Sequence, residues 1–464
     1  MLRHLPPTAT PLRWNDLKLG LSASPQALTH FQTALSQYLG IQSCFLASSG
    51  RTALYILLKS LSEAVDHRFP SQYPKGTLSP NTQGARCLQS PNLPISHQAP
   101  HHPARREVLL PAYTCPALVK VTLDAGLSPR LIDISPDTLA FKPGLLAEAI
   151  GQQTLAVIYV HPFGIPQPLE EVITLAGSVG AIVIEDAAQA LGARLAGRPA
   201  GVSGDFGLFS LGPGKPLSTG GGGILCVNNG QYTRLLEEVW EKLLPPPIPK
   251  GHAVSQSPIS QSPISNLPTS HSVWALLRLT ASALAFHPVG WRLATRLGLH
   301  HLGEHEASWG YTLRGLTPAQ AGVGLALLER LEAINQQRRE NACRLIAHLQ
   351  ELDFVQFPCL APTAEPIYLR LPVIVDSEER RERLFQRLWK AGLGVGRMYR
   401  RALAEFFPQL ALHPPIPPYG EYYAGSTTET YPGAERVARC LLTLPTHHYL
   451  AQTDIDHIAQ ILRT

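Results

Sequence analysis

Short apolar runs alternate with helix-like amphipathic stretches through the first half of the chain. Runs of strand length occur at residues 107–113 (EVLLPAY), 127–134 (LSPRLIDI), 155–164 (LAVIYVHPFG), 181–190 (AIVIEDAAQA) and 206–210 (FGLFS). Residues 143–150 and 168–180 carry helical spacing, and Gly180 is placed to end the second helix. Near-continuous apolar runs such as AIVIE are typical of strands buried on both faces. The alternation predicts an α/β fold with a mostly parallel central sheet flanked by helices.

The two ends of the chain are mainly helical. A helix is predicted at 25–39, with Ser24 as its cap and Gly40 after its last residue. After residue 310 the pattern predicts one long helix over 316–352, with Thr317 as N-cap and Pro318 at the first helical position. A strand at 367–375 and helices at 377–391 and 452–462 follow. These elements predict a smaller C-terminal α+β domain.

Two segments interrupt this regularity and set the expected domain organisation. Residues 65–106 and 245–271 are rich in Pro, Ser, Gln and His, and the second contains the short repeat SQSPISQSPIS. Such segments bury too little apolar surface to offset their ordering entropy, so both are predicted to be disordered insertions. We therefore expect a large α/β domain over 1–240 and a helical segment with the small domain over 272–464.

Composition narrows the class of protein. The chain has 464 residues, 44% of them hydrophobic and 16% charged, and a formal net charge of +5. A chain of this length is longer than a single hydrophobic core usually spans, so two domains are expected. The sequence has no block of lysine and arginine residues, which argues against a nucleic-acid partner. The seven cysteines form no C-x-x-C pair, which favours reduced thiols over a disulfide framework or a zinc site. The N-terminus lacks the apolar run of a signal peptide, so a cytoplasmic location is expected.

The most apolar stretch is residues 272–299. Arg278, Arg292 and Arg296 interrupt it, so no run approaches the length of a membrane-spanning helix. A pair of amphipathic helices lying on a core is the favoured interpretation, and peripheral contact with a membrane stays open as the alternative.

Candidate chemistry lies where strands end. Lys215 occupies the glycine-rich stretch SLGPGKPLSTGGGGI, and Asp186 directly follows the buried run AIVIE. Ligands of open α/β sheets bind at the carboxyl ends of strands. Alone, each residue has a plainer interpretation: a solvated loop lysine, and an N-cap of a following helix.

Two further features favour a ligand-binding role for Lys215 and Asp186 over these plainer interpretations. Ser48, Ser49 and Gly50 lead into an amphipathic helix whose free N–H groups favour an anion, and Arg51 and Thr52 add donors. Ser210 ends the run FGLFS five residues before Lys215. An anion site, a carboxylate, a serine and a lysine match the needs of pyridoxal 5'-phosphate, whose aldehyde joins a lysine and whose ring nitrogen pairs with an aspartate.

The order of these motifs resembles the DegT/DnrJ/StrS family of fold type I pyridoxal-phosphate enzymes. The resemblance runs from about residue 19 to the C-terminus, outside the two insertions. It is carried by SSGRTAL, VLLPAYTCPALVKVTLDAG, VHPFGIP, VIEDAAQALGA, GDFGLFSLGPGK and GGGGILCVNN, then by LTPAQAGVGLALLERL and YPGAERVARCLLTLPTH. The order EDAAQ, FS, K is the most specific part.

The resemblance implies roles for individual residues. Lys215 would hold the cofactor covalently and then act as general acid/base, and Asp186 would keep the ring nitrogen protonated. Gln189 would lie beside the phenolic oxygen. The phosphate ligands would be Ser210 and the residues at the helix start, which are Gly50, Arg51 and Thr52.

Three positions depart from the family pattern. Arg51 stands where threonine is usual, Cys115 stands where many members have an aromatic residue on the cofactor ring, and Thr312 replaces the asparagine of the GYNYR segment. Tyr113 and His161 are the alternatives for covering the ring. These changes leave the cofactor chemistry in place and bear on the substrate.

The resemblance implies a transaminase that moves an amino group from a donor such as glutamate to a carbonyl acceptor such as a keto-sugar nucleotide. It also implies a homodimer. A lyase or dehydratase of the same fold, and a non-catalytic relative, are the alternatives. Family members that act as dehydratases lack the lysine, which this chain retains. The histidine pairs at 101–102, 300–301 and 447–448 lack ligand spacing and are expected to have surface or packing roles.

Overall fold

The structure is a computed structural model. It describes residues 4–66, 105–142, 144–244, 270–297, 310–413, 427–428 and 430–464. Most of the two predicted disordered insertions, and the histidine pairs at 101–102 and 300–301, lie outside the described residues.

The first half of the chain alternates helices and strands as the apolar pattern predicts. In chain order the elements are α1 (Trp14–Leu21), α2 (Gln26–Leu39), β1 (Ser43–Ala47), α3 (Gly50–Asp66), β2 (Glu107–Pro111), α4 (Ala117–Asp124), β3 (Ser128–Ile132), α5 (Leu145–Ala149), β4 (Thr154–Val160), α6 (Glu170–Val179), β5 (Ile182–Asp186), β6 (Arg194–Leu195), β7 (Arg198–Pro199), β8 (Phe206–Ser210), β9 (Gly223–Val227) and α7 (Thr233–Leu243).

A seven-stranded sheet forms the centre of the molecule, in the order β1-β9-β8-β5-β4-β2-β3. The pairs β2–β3, β2–β4, β4–β5 and β5–β8 are parallel. Only β9 runs the other way, antiparallel to both β8 and β1. The predicted mostly parallel sheet is therefore present.

Apolar side chains cover both faces of this sheet. On one face Leu54 and Leu57 of α3 pack with Leu110 and Ile184 of the strands. On the other face, helix α2 supplies Phe31 and Leu35 to a second cluster. Burial on both faces explains why the central strands are continuous apolar runs in the sequence.

The second half of the chain is mostly helical with a small antiparallel sheet. Its elements are α8 (Ser270–Ala285), α9 (Pro288–Arg296), α10 (Pro318–Leu328), α11 (Leu331–Leu349), β10 (Val355–Gln356), β11 (Ala364–Glu365), β12 (Leu371–Val375), α12 (Glu378–Lys390), α13 (Leu403–Phe406), β13 (Leu412–His413), β14 (Thr427–Thr428), α14 (Pro432–Cys440), β15 (Leu441–Leu444) and α15 (Gln452–Arg463). Strands β10, β12 and β15 form a three-stranded sheet. The predicted smaller α+β unit is thus present, while its boundary stays a prediction.

The long helix predicted over 316–352 is wrong. Thr317 and Pro318 begin α10 as expected, with the Thr317 hydroxyl accepting from the N–H of Gln320 at 3.3 Å. The helix then breaks at Arg330, whose ψ of 1° is not helical. Its guanidinium bonds Asp16 of α1 at 2.6 Å. This tertiary contact accompanies the break between α10 and α11.

Smaller corrections concern the ends of elements. Gly40 follows α2 as predicted, but the Ser24 side chain does not cap that helix. Residues 65 and 66 belong to α3. Arg106 donates to Ser62 at 3.0 Å. The ends of the first predicted insertion are therefore ordered.

Residues 270–297 form the predicted pair of helices, α8 and α9. One side of α8 packs on the core through Leu276 and Leu279. Among the helices within the described ranges, none combines the length and the hydrophobicity of a membrane-spanning segment.

Candidate active site

A cavity of about 810 Å³ lies at the carboxyl edge of the central sheet. The last residues of three strands line it: Val160 of β4, Asp186 of β5 and Ser210 of β8. Lys215 lines it from the loop that follows β8. The parallel strand order brings these ends together, as expected for the ligand site of an open α/β sheet.

The N-terminus of α3 forms one wall of the cavity. Ser48, Ser49, Gly50 and Arg51 line it there. A Cβ placed on Gly50 would lie 3.5 Å from the Cβ of Ser210, so the helix start and the strand end are adjacent. Free N–H groups at the start of a 17-residue helix favour an anion at this wall.

Thr52, one of the predicted phosphate ligands, does not line the cavity. Its side chain is fully buried, and its hydroxyl donates to the carbonyl of Thr312 at 3.0 Å. The Ser49 hydroxyl accepts from the N–H of Thr52 at 3.1 Å. The prediction for the Thr52 side chain is wrong because helix geometry turns it into the protein, and it supports the site from behind.

Two buried side chains from later helices hold the Lys215 loop. Arg338 of α11 donates to the carbonyl of Pro216 at 3.4 Å. Gln320 of α10 donates to the carbonyl of Gly221 at 2.9 Å. Gly214 precedes the lysine with φ of +76°, a backbone conformation that favours glycine. The loop is therefore anchored on the C-terminal side of Lys215 by two side chains from later helices.

Burial shifts the pKa values of Lys215 and Asp186 in the directions that favour the neutral form of each side chain. Burial lowers the pKa of Lys215, and the charge of Asp186 partly opposes that shift. Burial raises the pKa of Asp186, while the N–H of Ala188 and the charge of Lys215 oppose it. The two groups interact across one cavity, and a buried carboxylate of this kind favours a cationic partner.

Asp186 does not cap a helix. Residues 187–192 form turns, and the Asp186 carboxylate accepts from the N–H of Ala188 at 3.0 Å. The alternative interpretation as a helix N-cap is therefore wrong. In the same turn Gln189 lines the cavity and accepts from the N–H of Phe163 at 3.1 Å.

A buried histidine–glutamate pair supports the floor of the cavity. His161 bonds Glu185 through Nε2 at 2.9 Å and accepts from the N–H of Gln167 through Nδ1 at 3.0 Å. Burial alone would raise the pKa of Glu185, but His161 and the N–H groups of Gly204 and Gly201 outweigh it and lower the pKa. Both nitrogens of His161 are engaged, so the imidazole presents a fixed ring to the cavity.

Tyr399 is a cavity residue that sequence reasoning missed. It lines the cavity with Cys115 and lies edge-on to Tyr113, with ring centroids 5.7 Å apart. Its φ of +46° is uncommon for a residue other than glycine. Tyr113 is buried, does not line the cavity, and donates to the carbonyl of Met398. Tyr113 therefore does not face the cavity, whereas His161, Cys115 and Tyr399 do.

The segment 310–315 closes the side of the cavity next to α3. The Ser48 hydroxyl donates to the carbonyl of Thr312 at 2.6 Å, and the Ser48 N–H donates to the carbonyl of Arg314 at 2.8 Å. Thr312 and Arg314 both line the cavity. Of the predicted site residues, the structure thus brings together Lys215, Asp186, Gln189, Ser210, Gly50 and Arg51, and leaves out Thr52.

Comparison with known proteins identifies this architecture. The family model described as the DegT/DnrJ/EryC1/StrS aminotransferase family matches residues 92–239 and 282–463. These two ranges cover more than half of the chain. The chain belongs to the DegT/DnrJ/EryC1/StrS aminotransferase family.

Two curated relatives with higher identity match a shorter part of the chain. Protein MosB of Rhizobium meliloti is 38% identical over 140 residues, which are 30% of this chain and 28% of that protein. UDP-N-acetyl-3-dehydro-alpha-D-glucosamine 3-aminotransferase of Acidithiobacillus ferrooxidans is 35% identical over 131 residues, 28% of this chain and 36% of that enzyme. These matches span about a third of the two relatives.

Solved structures match over the whole chain. The aminotransferase TlmJ from Streptoalloteichus hindustanus has a TM-score of 0.66 at 20% identity, covering 99% of this chain and 98% of that one. At this identity the similarity shows the fold. The prediction of the family is confirmed, and with it that the chain is a member of an aminotransferase family. The prediction of the α/β fold class is also confirmed.

The residues of the cavity fit the cofactor of this family. The start of helix α3, a lysine whose pKa is lowered by burial and a carboxylate whose pKa is raised by burial line one cavity. The Asp186 carboxylate makes one hydrogen bond within the described part of the chain, to the N–H of Ala188. Its second oxygen is thus available for the protonated nitrogen of a heteroaromatic ring.

Proposed function

We propose that this chain is a pyridoxal-phosphate aminotransferase that moves an amino group from an amino acid, such as glutamate, to a keto-sugar nucleotide. The observation that carries the proposal is the presence of Lys215 and Asp186 in one cavity. A lysine and a carboxylate that oppose each other's pKa shift across a shared cavity are what this chemistry requires.

Each residue would perform a separate task. The N–H groups at the start of α3, with Gly50, Arg51 and Ser210, would bind the phosphate. Gln189 would orient the phenolic oxygen. When bound, pyridoxal phosphate supplies an aldehyde for covalent attachment and a ring that accepts electrons.

Asp186 and Lys215 would manage the protons. Asp186 would hold a proton on the ring nitrogen, and that interaction would stabilise the carboxylate that burial otherwise disfavours. The Lys215 amine, with its pKa lowered by burial, would carry a larger neutral fraction at neutral pH than a surface lysine. The same amine would then move a proton on the substrate carbon as general acid/base.

The charges around the cavity support an anionic acceptor. Arg51, Arg278 and Arg314 line it, and Asp186 is the only acidic residue among the described lining residues. Guanidinium groups favour phosphate oxygens. A diphosphate-linked keto-sugar satisfies this arrangement, and the aminotransferase name of the Acidithiobacillus ferrooxidans relative supports the same class.

Two finer proposals rest on the resemblance to the family. We infer a homodimer with the cavity near the subunit boundary, and a cytoplasmic location. Light scattering on the purified protein measures the mass, and a monomer at micromolar concentration would contradict the homodimer.

A half-reaction tests the proposed function. Glutamate added without an acceptor should bleach the visible band of the protein loaded with cofactor and release 2-oxoglutarate, one molecule per site. Lys215→Ala should lower this rate by about 10³-fold or more, because the covalent link and the general base are both lost. Lys59→Ala removes a surface lysine that pairs with Glu63 of α3 at 3.5 Å and serves as the matched control.

The alternatives give different results in the same assay. A lyase or dehydratase would release ammonia or water from its substrate without leaving nitrogen on the protein. A non-catalytic relative would show the band without any change on adding amino donors. Either result would overturn the aminotransferase assignment.

A further inference from the structure

Tyr399 is the one side chain from beyond α10 that lines the cavity within the described part of the chain. The other described lining residues belong to the ranges 48–222, 271–278 and 310–320. The C-terminal unit thus reaches the cavity, among the described residues, through this tyrosine. An aromatic side chain in that position would contact a ligand in the cavity.

The segment that carries Tyr399 is fastened to the end of β2. The N–H of Leu403 donates to the carbonyl of Ala112 at 2.8 Å. The Tyr113 hydroxyl donates to the carbonyl of Met398, and the Tyr113 ring lies edge-on to the ring of Tyr399. A positive φ such as that of Tyr399 persists where the surrounding contacts determine it. The protein's own contacts therefore hold this ring in place.

The position of Tyr399 is linked to the small side chain at Cys115. Both residues line the cavity, and the Tyr399 hydroxyl shares a hydrogen bond with the Cys115 thiol. Burial, Cys115 and Asp186 together raise the pKa of that hydroxyl well above its ordinary value, so the tyrosine is neutral at neutral pH. The two side chains therefore share one region of the cavity, next to the carboxylate of Asp186.

The other aromatic residues among the described lining residues are engaged elsewhere or exposed. The Tyr311 hydroxyl donates to a carboxylate of α4 at 3.1 Å. Trp274 and His271 of α8 are exposed. His161 is the alternative, but both nitrogens of its imidazole bond within the protein. Tyr399 is the partly buried tyrosine that lies beside Asp186.

We propose that the ring of Tyr399 covers one face of the cofactor ring, in the region that an aromatic residue at position 115 takes in many family members. The inference rests on the proposed cofactor. Lys215 and Asp186 would hold the cofactor ring at its edge, so other side chains have to cover its faces. The thiol of Cys115 leaves room for the tyrosine ring. The cofactor would thus contact both units of the chain.

Equilibrium binding of pyridoxamine 5'-phosphate tests the proposal. This ligand forms no covalent bond with lysine, so its dissociation constant reports the contacts of its ring and its phosphate. The cofactor-free full-length variant Tyr399→Leu should bind it about tenfold more weakly than wild type, because a contact between two rings is lost. Tyr399→Phe keeps the ring and should stay within about threefold of wild type. Inorganic phosphate has no ring and should bind wild type and Tyr399→Leu equally.

A second substitution gives a more specific result. Cys115→Phe alone should weaken binding of pyridoxamine phosphate by about tenfold, because two aromatic side chains then compete for one region. In the Tyr399→Leu background the same substitution should restore the affinity to within about threefold of wild type. Opposite effects in the two backgrounds are the signature of two side chains that share one region. Two independent structural roles would give additive losses.

Tyr368→Leu is the matched control. Tyr368 also has φ of +46° and is buried, but it does not line the cavity. Its replacement should lower the melting temperature without weakening the binding of pyridoxamine phosphate. Wild-type protein that binds no pyridoxamine phosphate would overturn the proposed function and this inference with it.

Other outcomes would overturn the inference alone. Wild-type affinity in Tyr399→Leu would show that this ring does not contact the cofactor. An equal loss in Tyr399→Phe would assign the effect to the hydroxyl group. A folded double variant whose affinity Cys115→Phe does not restore would assign the cover to another ring, such as that of His161.

Discussion

The burial of the Asp186 carboxyl lowers the stability of the folded protein. It ends β5 inside the protein, and burial raises the pKa of its carboxyl above the ordinary range. One backbone N–H and the charge of Lys215 only partly oppose the effect. Folding therefore disfavours the charged form of this carboxyl relative to the unfolded chain, and a bound cation would oppose that effect. Such conflicts between stability and activity are common at functional sites.

Asp186→Asn tests this conflict. The amide keeps an acceptor for the N–H of Ala188 but carries no charge, so we expect the cofactor-free protein to melt at a higher temperature than wild type. The half-reaction with glutamate should slow by about 100-fold or more, because the ring nitrogen loses its charged partner. Differential scanning calorimetry and the absorbance assay measure the two effects.

The difference in melting temperature between Asp186→Asn and wild type should depend on pH. A carboxyl whose folded pKa is raised destabilises the fold above that pKa, and this penalty disappears as the pH falls toward the ordinary pKa of aspartate. The difference in melting temperature between the variant and wild type should thus be largest at neutral pH and shrink in acid. A variant that melts below wild type at pH 7 without cofactor would contradict this account.

At the residue scale, the sequence predicted the groups that lie at strand ends or in the loop after a strand. Lys215, Asp186 and Ser210 all line the cavity, because strand ends of a parallel sheet converge. Thr52 was misplaced, because the phase of a helix decides which way its side chains face. Tyr399 and Glu185 carried no local signal, since their positions depend on contacts with distant segments.

At the scale of elements, the site depends on how closely β9 approaches α3. A Cβ placed on Gly223 would lie 2.4 Å from the backbone nitrogen of Gly50. Residues Ser49 and Gly222 are joined by a backbone bridge. Glycine at position 223 therefore allows the backbone of β9 to pass directly against the start of α3.

Gly223→Ala should displace the start of α3. We expect a loss of roughly 1 to 3 kcal/mol in the free energy of unfolding, and at least about tenfold weaker binding of pyridoxal phosphate. Denaturant unfolding and fluorescence titration with the cofactor measure these changes. Gly177→Ala is the control, because nothing lies within 4 Å of a Cβ at this exposed position of α6. It should stabilise the protein by about 0.5 to 1 kcal/mol. Equal behaviour of the two variants would show that the close approach is unimportant.

Element prediction succeeded where the pattern is local. Five of the seven strands of the central sheet, β2, β3, β4, β5 and β8, and the helices α6, α12 and α15 were found, because their apolar spacing and end residues are explicit in the sequence. Strands β1 and β9 were not predicted. The break between α10 and α11 was missed, since the ion pair of Arg330 with Asp16 that accompanies it joins distant parts of the chain. The turn after Asp186 was likewise taken for a possible helix start, because AAQAL has helical composition.

At the scale of the whole molecule, the N-terminal segment connects the two sheets. The carbonyl of Pro6 accepts from His447 at 2.9 Å, and burial lowers the pKa of His447 to about 3. A Cβ on Gly214, beside Lys215, would lie 3.1 Å from Thr8. His447 thus has the packing role that its spacing predicted. The segment thus contacts both the C-terminal unit and the loop that carries Lys215.

A helix from the second half of the chain also packs in the hydrophobic core of the central seven-stranded sheet. Ala319, Val323 and Leu327 of α10 lie in the cluster that contains Phe31 and Leu46. Residues after 310 therefore complete the core of the large unit as well as the small one. The sequence pattern divides the chain into two units, but side chains from both sides of the division pack in one cluster. The boundaries at 240 and 272 therefore stay predictions.

The central claim is that Lys215 is the amine that attaches pyridoxal phosphate. Borohydride reduction of the protein loaded with cofactor, followed by proteolysis and mass spectrometry, locates the modified lysine directly. The account predicts one pyridoxyl group per chain, on the peptide containing Lys215, and none after treatment with glutamate before reduction. A label on another lysine, or no label in a protein that binds the cofactor, would contradict it.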